Sequence, residues 1–139
     1  MTGAGVAPPL AVLVVDDDPR VRASLVHLLD EVGAVNAIAV DADQAWRLAA
    51  MGAAADVAVV DVPGGDGVGL RLVSHLASMM PVVAVGLRAS VGKIARGAGA
   101  VAFVEKDGDA DTLVATIRAA GPGRSHDNVP CSASLDDEG

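Results

Sequence analysis

The chain has 139 residues and a formal charge of −8, a balance that speaks against nucleic acid or an anionic membrane as its ligand. Hydrophobic residues make up 52% and aromatic residues only 1%, so a core would be built from Val, Leu, Ile and Ala, as suits a buried parallel sheet. A single cysteine, Cys131, excludes an intramolecular disulfide framework and fits a reducing compartment.

Residues 1–9 carry Gly3, Gly5, Pro8 and Pro9 and read as a flexible leader without the basic start of a secretory signal. Leu10–Val15 is a short apolar run, far below the ~20 residues of a membrane span, and reads as a buried strand. A cytoplasmic protein is the expectation. Asp18-Pro19 starts the first helix, with Asp as cap and Pro at the first helical position. Val21, Leu25, Leu28, Leu29 and Val32 follow at helical spacing, and Gly33 supplies the stop.

Asn36–Val40 is a second strand. Asp41 caps the next helix with Gln44 in a capping box, and that helix runs through Trp46 to about Met51. A third strand, Asp56–Val62, precedes a helix over about 68–79 with Leu72, Val73 and Leu76 inward. Pro81–Leu87 is a fourth strand, followed by a short helix over about 90–96 that Gly92 should break. Val101–Glu105 is the fifth strand. Asp109 or Asp111 opens the last helix, whose Leu113, Val114 and Ile117 share a face. Residues 121–139 lose periodicity, are acidic, and read as a disordered tail.

Strand alternating with helix five times, through short connections, is the pattern of an open parallel sheet covered on both faces. In such sheets ligands bind beyond the carboxyl ends of the strands. Asp16-Asp17 stands at the end of strand one, Asp61 at the end of strand three, and Lys106 at the end of strand five. If those strands are neighbours, three carboxylates and an ammonium converge. Two like charges 4 Å apart repel by about 4 kcal/mol at an effective dielectric of 20, so a divalent cation or a shifted pKa must relieve them. Carboxylates with water and phosphate oxygens suit Mg²⁺. The Gly64–Gly69 run matches neither G-x-G-x-x-G nor G-x-x-x-x-G-K-[ST]. His27 and His75 have no second ligand one turn on, so neither indicates zinc.

The segments LAVLVVDDDPRVRASLVHLL, VAVVDV, PVVAV and GAGAVAFVEKD resemble, in matching order over residues 10–120, the receiver domain of two-component response regulators. The resemblance implies a flavodoxin-like α/β fold with five parallel strands in the order 2-1-3-4-5. It implies Asp61 as phosphoacceptor, Asp16 and Asp17 as Mg²⁺ ligands, the Pro63 backbone carbonyl completing the metal site, and Lys106 on the phosphoryl group. Partners would be a histidine kinase or phosphotransfer protein and an unidentified downstream protein. The expected surface is the fourth helix, fifth strand and fifth helix, through which a homodimer is also allowed for. The chain would then be a stand-alone receiver, not an enzyme beyond self-catalysed phosphoryl transfer.

It departs from the family pattern in two places. DVPGGDG is about two residues shorter than the usual loop after the phosphoacceptor. Gly86 stands where receivers carry Ser or Thr, and Phe103 occupies the aromatic switch position without a hydroxyl. The alternative is therefore a pseudo-receiver that works without phosphorylation. A small nucleotide-binding or phosphotransferase enzyme on the same sheet is a third reading.

Overall fold

A computed structural model of the chain describes residues 10–32, 35–53, 55–62, 67–106 and 109–121. The leader 1–9, the stop at Gly33, the loop residues Pro63 to Asp66 and the tail beyond Gly121 lie outside the described residues. The elements are β1 (Leu10–Val15), α1 (Pro19–Val32), β2 (Val35–Val40), α2 (Ala42–Ala50), β3 (Val57–Asp61), α3 (Gly67–Ala77), β4 (Val82–Gly86), α4 (Ala89–Gly97), β5 (Ala102–Glu105) and α5 (Ala110–Ala120). They form one parallel sheet in the order β2-β1-β3-β4-β5. The fold is the flavodoxin-like arrangement expected from the sequence.

The strands read as continuous apolar runs because successive side chains point to opposite faces and both faces are covered. Leu13, Val15, Ala58, Val60, Val82 and Ala84 pack with α2, α3 and α4, around Ala45, Ala49, Leu72, Val73, Leu76 and Ala95. Val12, Val14, Val57, Val59, Val83 and Val85 pack on the other side with Leu29, Leu113 and Ile117 of α1 and α5. The core is aliphatic, and both aromatic residues, Trp46 and Phe103, sit half-buried at its margin. Trp46 packs across to α3, its ring 4.9 Å from that of His75.

The helix starts follow local chemistry. Asp18 accepts from the backbone of Arg20 at 2.9 Å, and Asp41 and Gln44 complete the capping box in both directions. Asp109, rather than Asp111, caps α5, accepting from the Asp111 backbone at 3.2 Å. Helix α2 stops at Met51, and Gly52 takes the left-handed backbone (φ 77°) that glycine adopts without penalty.

One expectation fails here. Gly92 does not break the fourth helix, which continues from Ala89 to Gly97. A Cβ on Gly92 would lie 2.7 Å from Cδ2 and 2.8 Å from Cγ of Phe103. The glycine admits a ring, and tertiary packing overrides its poor helix propensity of about 1 kcal/mol.

Candidate functional site

β1 lies between β2 and β3, and the strand order reverses between β1 and β3, so a crevice opens where the connections diverge, beyond the ends of those two strands. The register pairs Val15 with Val60, which sets Asp16 beside Asp61. The ladder continues past the strands: Asp16 donates to Val40 at 3.1 Å, Val62 to Val85 at 2.8 Å, and Lys106 to Gly86 at 2.7 Å. These backbone bonds hold the three site residues at the carboxyl edge of a rigid sheet.

Asp16 is 4% exposed. Its Oδ1 accepts from the backbone of Asp18 at 2.9 Å, and its main-chain carbonyl accepts from Nη1 of Arg22 at 2.7 Å. Its Oδ2 is buried without a hydrogen-bond partner among the described residues, although Nζ of Lys106 is 3.5 Å away. The same ammonium donates to Oδ1 of Asp61 at 3.0 Å. One cation thus serves two carboxylates.

Burial and this sharing both act on the ionisation of the pair. Burial pushes the Asp61 carboxyl above its ordinary value; the hydrogen bond from Lys106 opposes this, while the charges of Asp16 and Asp17 reinforce it. For Lys106, burial works against the charged form, but the hydrogen bond to Asp61 and the charges of Asp61 and Asp16 outweigh it and raise the pKa. A fixed ion pair alone would lower the carboxylate, so the raised value of Asp61 reports its burial first and the neighbouring carboxylate charge second.

Asp17 is placed differently. It is exposed, and its Oδ1 accepts from the backbone of Ala42 at 3.0 Å, beside the start of α2. Among the described residues no group of three or more His, Cys, Asp and Glu side chains is arranged as a metal cage. Asp16 and Asp61 are the carboxylates that converge. Mg²⁺ is held by one or two carboxylates with water in the remaining positions, so this pair and the orphaned Asp16 oxygen fit it. Pro63 lies outside the described residues. A cavity of about 290 Å³, lined by Asp16, Asp17, Ala42, Asp61, Gly69 and Lys106 among others, adjoins the pair. A water's share of liquid volume is about 30 Å³, so a hydrated cation and a phosphoryl group can be accommodated. A second cleft of about 510 Å³, also lined by Asp16, Asp61 and Lys106, is bounded by Leu25 and Leu28 of α1 and Leu113 of α5.

Gly86 and Phe103 meet directly. A Cβ on Gly86 would lie 3.1 Å from Cε1 and 3.3 Å from Cζ of Phe103, and 3.2 Å from the carbonyl oxygen of Val62. The ring therefore spans from Gly86 to Gly92 and fills the space that a side chain at either position would need. The sequence marks Gly86 and Phe103 together as switch positions but not their contact; it marks Gly92 only as a helix breaker and leaves Arg22 unmarked. A glycine in mid-helix was the available signal for Gly92.

Solved structures share this architecture. NtrX from Brucella abortus is 24% identical with a TM-score of 0.72, over 86% of this chain and 28% of that one. This chain thus spans under a third of the length of that protein. The signal receiver domain of a modulated diguanylate cyclase from Desulfovibrio desulfuricans is 22% identical with a TM-score of 0.70, over 86% of this chain and 98% of that one. The BeF3-activated DrrB receiver domain is 21% identical with a TM-score of 0.64, over 79% of this chain and 95% of that one. Among curated proteins none matches the chain. Residues 12–118 match the sequence model of the response regulator receiver domain, and with the sheet order and the strand-end residues in place the chain belongs to that family.

Proposed function

We propose that the chain is an atypical receiver that accepts a phosphoryl group on Asp61 from a histidine kinase or phosphotransfer protein of a two-component system in the cytoplasm. The observation that supports this most is the Lys106 ammonium bridging Asp61 at 3.0 Å and the buried Asp16 at 3.5 Å at the carboxyl edge of the sheet. An Asp61 oxygen attacks phosphorus, an acyl phosphate forms, and the bond to the donor's leaving group breaks. Lys106 donates to Oδ1 of Asp61 and would turn its donor onto the new phosphoryl oxygens. Asp16 and Asp61 would hold Mg²⁺, with Asp17 as a nearby charge and the Pro63 carbonyl as a further ligand. When bound, the ion supplies neutralisation of the phosphoryl oxygens. Arg22 and the Asp18 amide hold Asp16 in place for that role. Output is through protein–protein contact at α4, β5 and α5.

Incubation with Mg²⁺ and acetyl phosphate, read by intact mass, tests the reading. A one-phosphoryl adduct absent from Asp61→Asn is the expected result. No adduct, with no Mg²⁺ affinity by calorimetry, would overturn it.

A second reading, an interaction module indifferent to phosphorylation, has one specific observation in its favour. The Phe103 ring already fills the slot beside Gly86, where no hydroxyl is available to follow a phosphoryl group. An adduct that leaves partner affinity unchanged would favour this reading over the first.

A further inference from the structure

All eighteen carboxylate residues of this acidic chain lie outside residues 67–104, a stretch that carries Arg71, Arg88, Lys93 and Arg96. Three of these line α4 and its approach: Arg88 is the cap residue, and Lys93 and Arg96 stand on the helix one turn apart. All three are exposed, and among the described residues none of them joins a salt bridge. Large apolar side chains stand exposed beside them: Leu87 at 67%, Ile94 at 50% and Val101 at 58%. Leu87 precedes α4, Ile94 lies next to Lys93, and Val101 follows the helix, so the mixed face runs its whole length.

Unpaired cations interleaved with exposed aliphatic side chains, in a chain otherwise acidic, need a partner that supplies both anions and apolar surface. We propose that the α4 face docks a short, acidic, amphipathic segment of another protein. The inference rests on reading the domain as a protein-binding module and names the chemistry of that partner; it does not depend on Asp61. Nucleic acid fits worse, because the exposed side chains are aliphatic and offer no stacking platform, and a long polyanion would meet the carboxylates elsewhere. The nine residues of α4 span about 14 Å at 1.5 Å per residue. A segment of that reach stays over the basic face, and beyond about 8 Å the remaining charges are screened at physiological salt.

The test is a titration of the ¹⁵N-labelled chain with a synthetic helical peptide of about 12 residues, Leu and Ala on one side and Glu on the other. Amide shifts confined to residues 87–101 are expected, absent with the Glu→Gln peptide and reduced by salt. The double variant Lys93→Glu, Arg96→Glu should bind about tenfold more weakly or worse, and Ile94→Ser should also weaken binding; these exposed positions leave the fold intact. Equal binding of the Gln peptide, or shifts elsewhere, would overturn the proposal. So would tighter binding of poly(U) or phosphatidylglycerol vesicles, or a dimer of this chain that disappears on charge reversal. Asp61→Asn is titrated in parallel and should bind the peptide like the parent, so failure of phosphorylation and failure of this inference are read separately.

Discussion

The pairing of Phe103 with two glycines can be tested by a sign reversal. In Gly92→Ala the new methyl would meet the ring at 2.7 and 2.8 Å, with Phe103 Cβ at 3.2 Å. The close atoms are the root of the ring and not its far end, so a rotamer change alone gives little relief. Overpacking of this kind costs about 1–3 kcal/mol. Replacing a mid-helix glycine by alanine returns about 1 kcal/mol of helix propensity. The substitution should therefore be neutral to destabilising by about 2 kcal/mol in the parent chain. In the Phe103→Ala background the clash with the ring is gone, and the same substitution should stabilise by up to about 1 kcal/mol. Urea unfolding of the four proteins gives the coupling directly, about 1–3 kcal/mol for residues in contact. If Gly92→Ala stabilises both backgrounds equally, the ring does not sit on the helix and the reasoning fails.

Other outcomes are equally concrete. Because burial raises the Asp61 pKa above its ordinary 3.8, its stabilising contribution is complete below 3.8 and is lost as pH rises through the folded value. In metal-free buffer the parent chain should thus lose stability relative to Asp61→Asn on going from below pH 3.8 to neutrality; a pH-independent difference would contradict the raised value. The raised Lys106 pKa has the opposite consequence at high pH: its contribution is complete below 10.5 and fades as pH climbs through the folded value, so Lys106→Met should blunt the alkaline loss in chemical denaturation. Asp41→Ala removes the arm of the capping box in which the Asp41 carboxylate accepts from the Gln44 amide, leaves the residue-41 amide to Gln44, and should cost about 1 kcal/mol in thermal unfolding. Asp16→Asn should reduce Mg²⁺ affinity at least about tenfold by calorimetry, whereas Asp17→Asn, whose carboxylate is engaged by Ala42, should have the smaller effect.

Much of the fold was legible because the signals are local. Apolar runs such as Leu10–Val15 and Val57–Val60 mark strands buried on both faces, and Asp18-Pro19, Asp41 with Gln44, and Asp109 mark helix starts with side-chain oxygens. The placing of Asp16, Asp61 and Lys106 at strand ends was also readable, since parallel strands bring their carboxyl ends to one edge. The misreading of Gly92 has the same root: a glycine in a helix looks like a break when the ring it makes room for lies eleven residues on.

What tertiary structure decided are the contacts that need register and side-chain direction together. Composition and spacing cannot say that Lys106 is shared between Asp61 and Asp16, that Asp17 turns away to Ala42, or that Arg22 reaches back to hold the Asp16 carbonyl. Each contact is between residues brought together by strand pairing or helix packing, and each is fixed by angstrom-scale distances that no one-dimensional pattern encodes. Residue order alone implies a sheet edge bearing carboxylates and one lysine. The folded chain determined that one ammonium must serve two of those carboxylates, because the register of β1 on β3 sets them side by side in a crevice with too little water to share the charge.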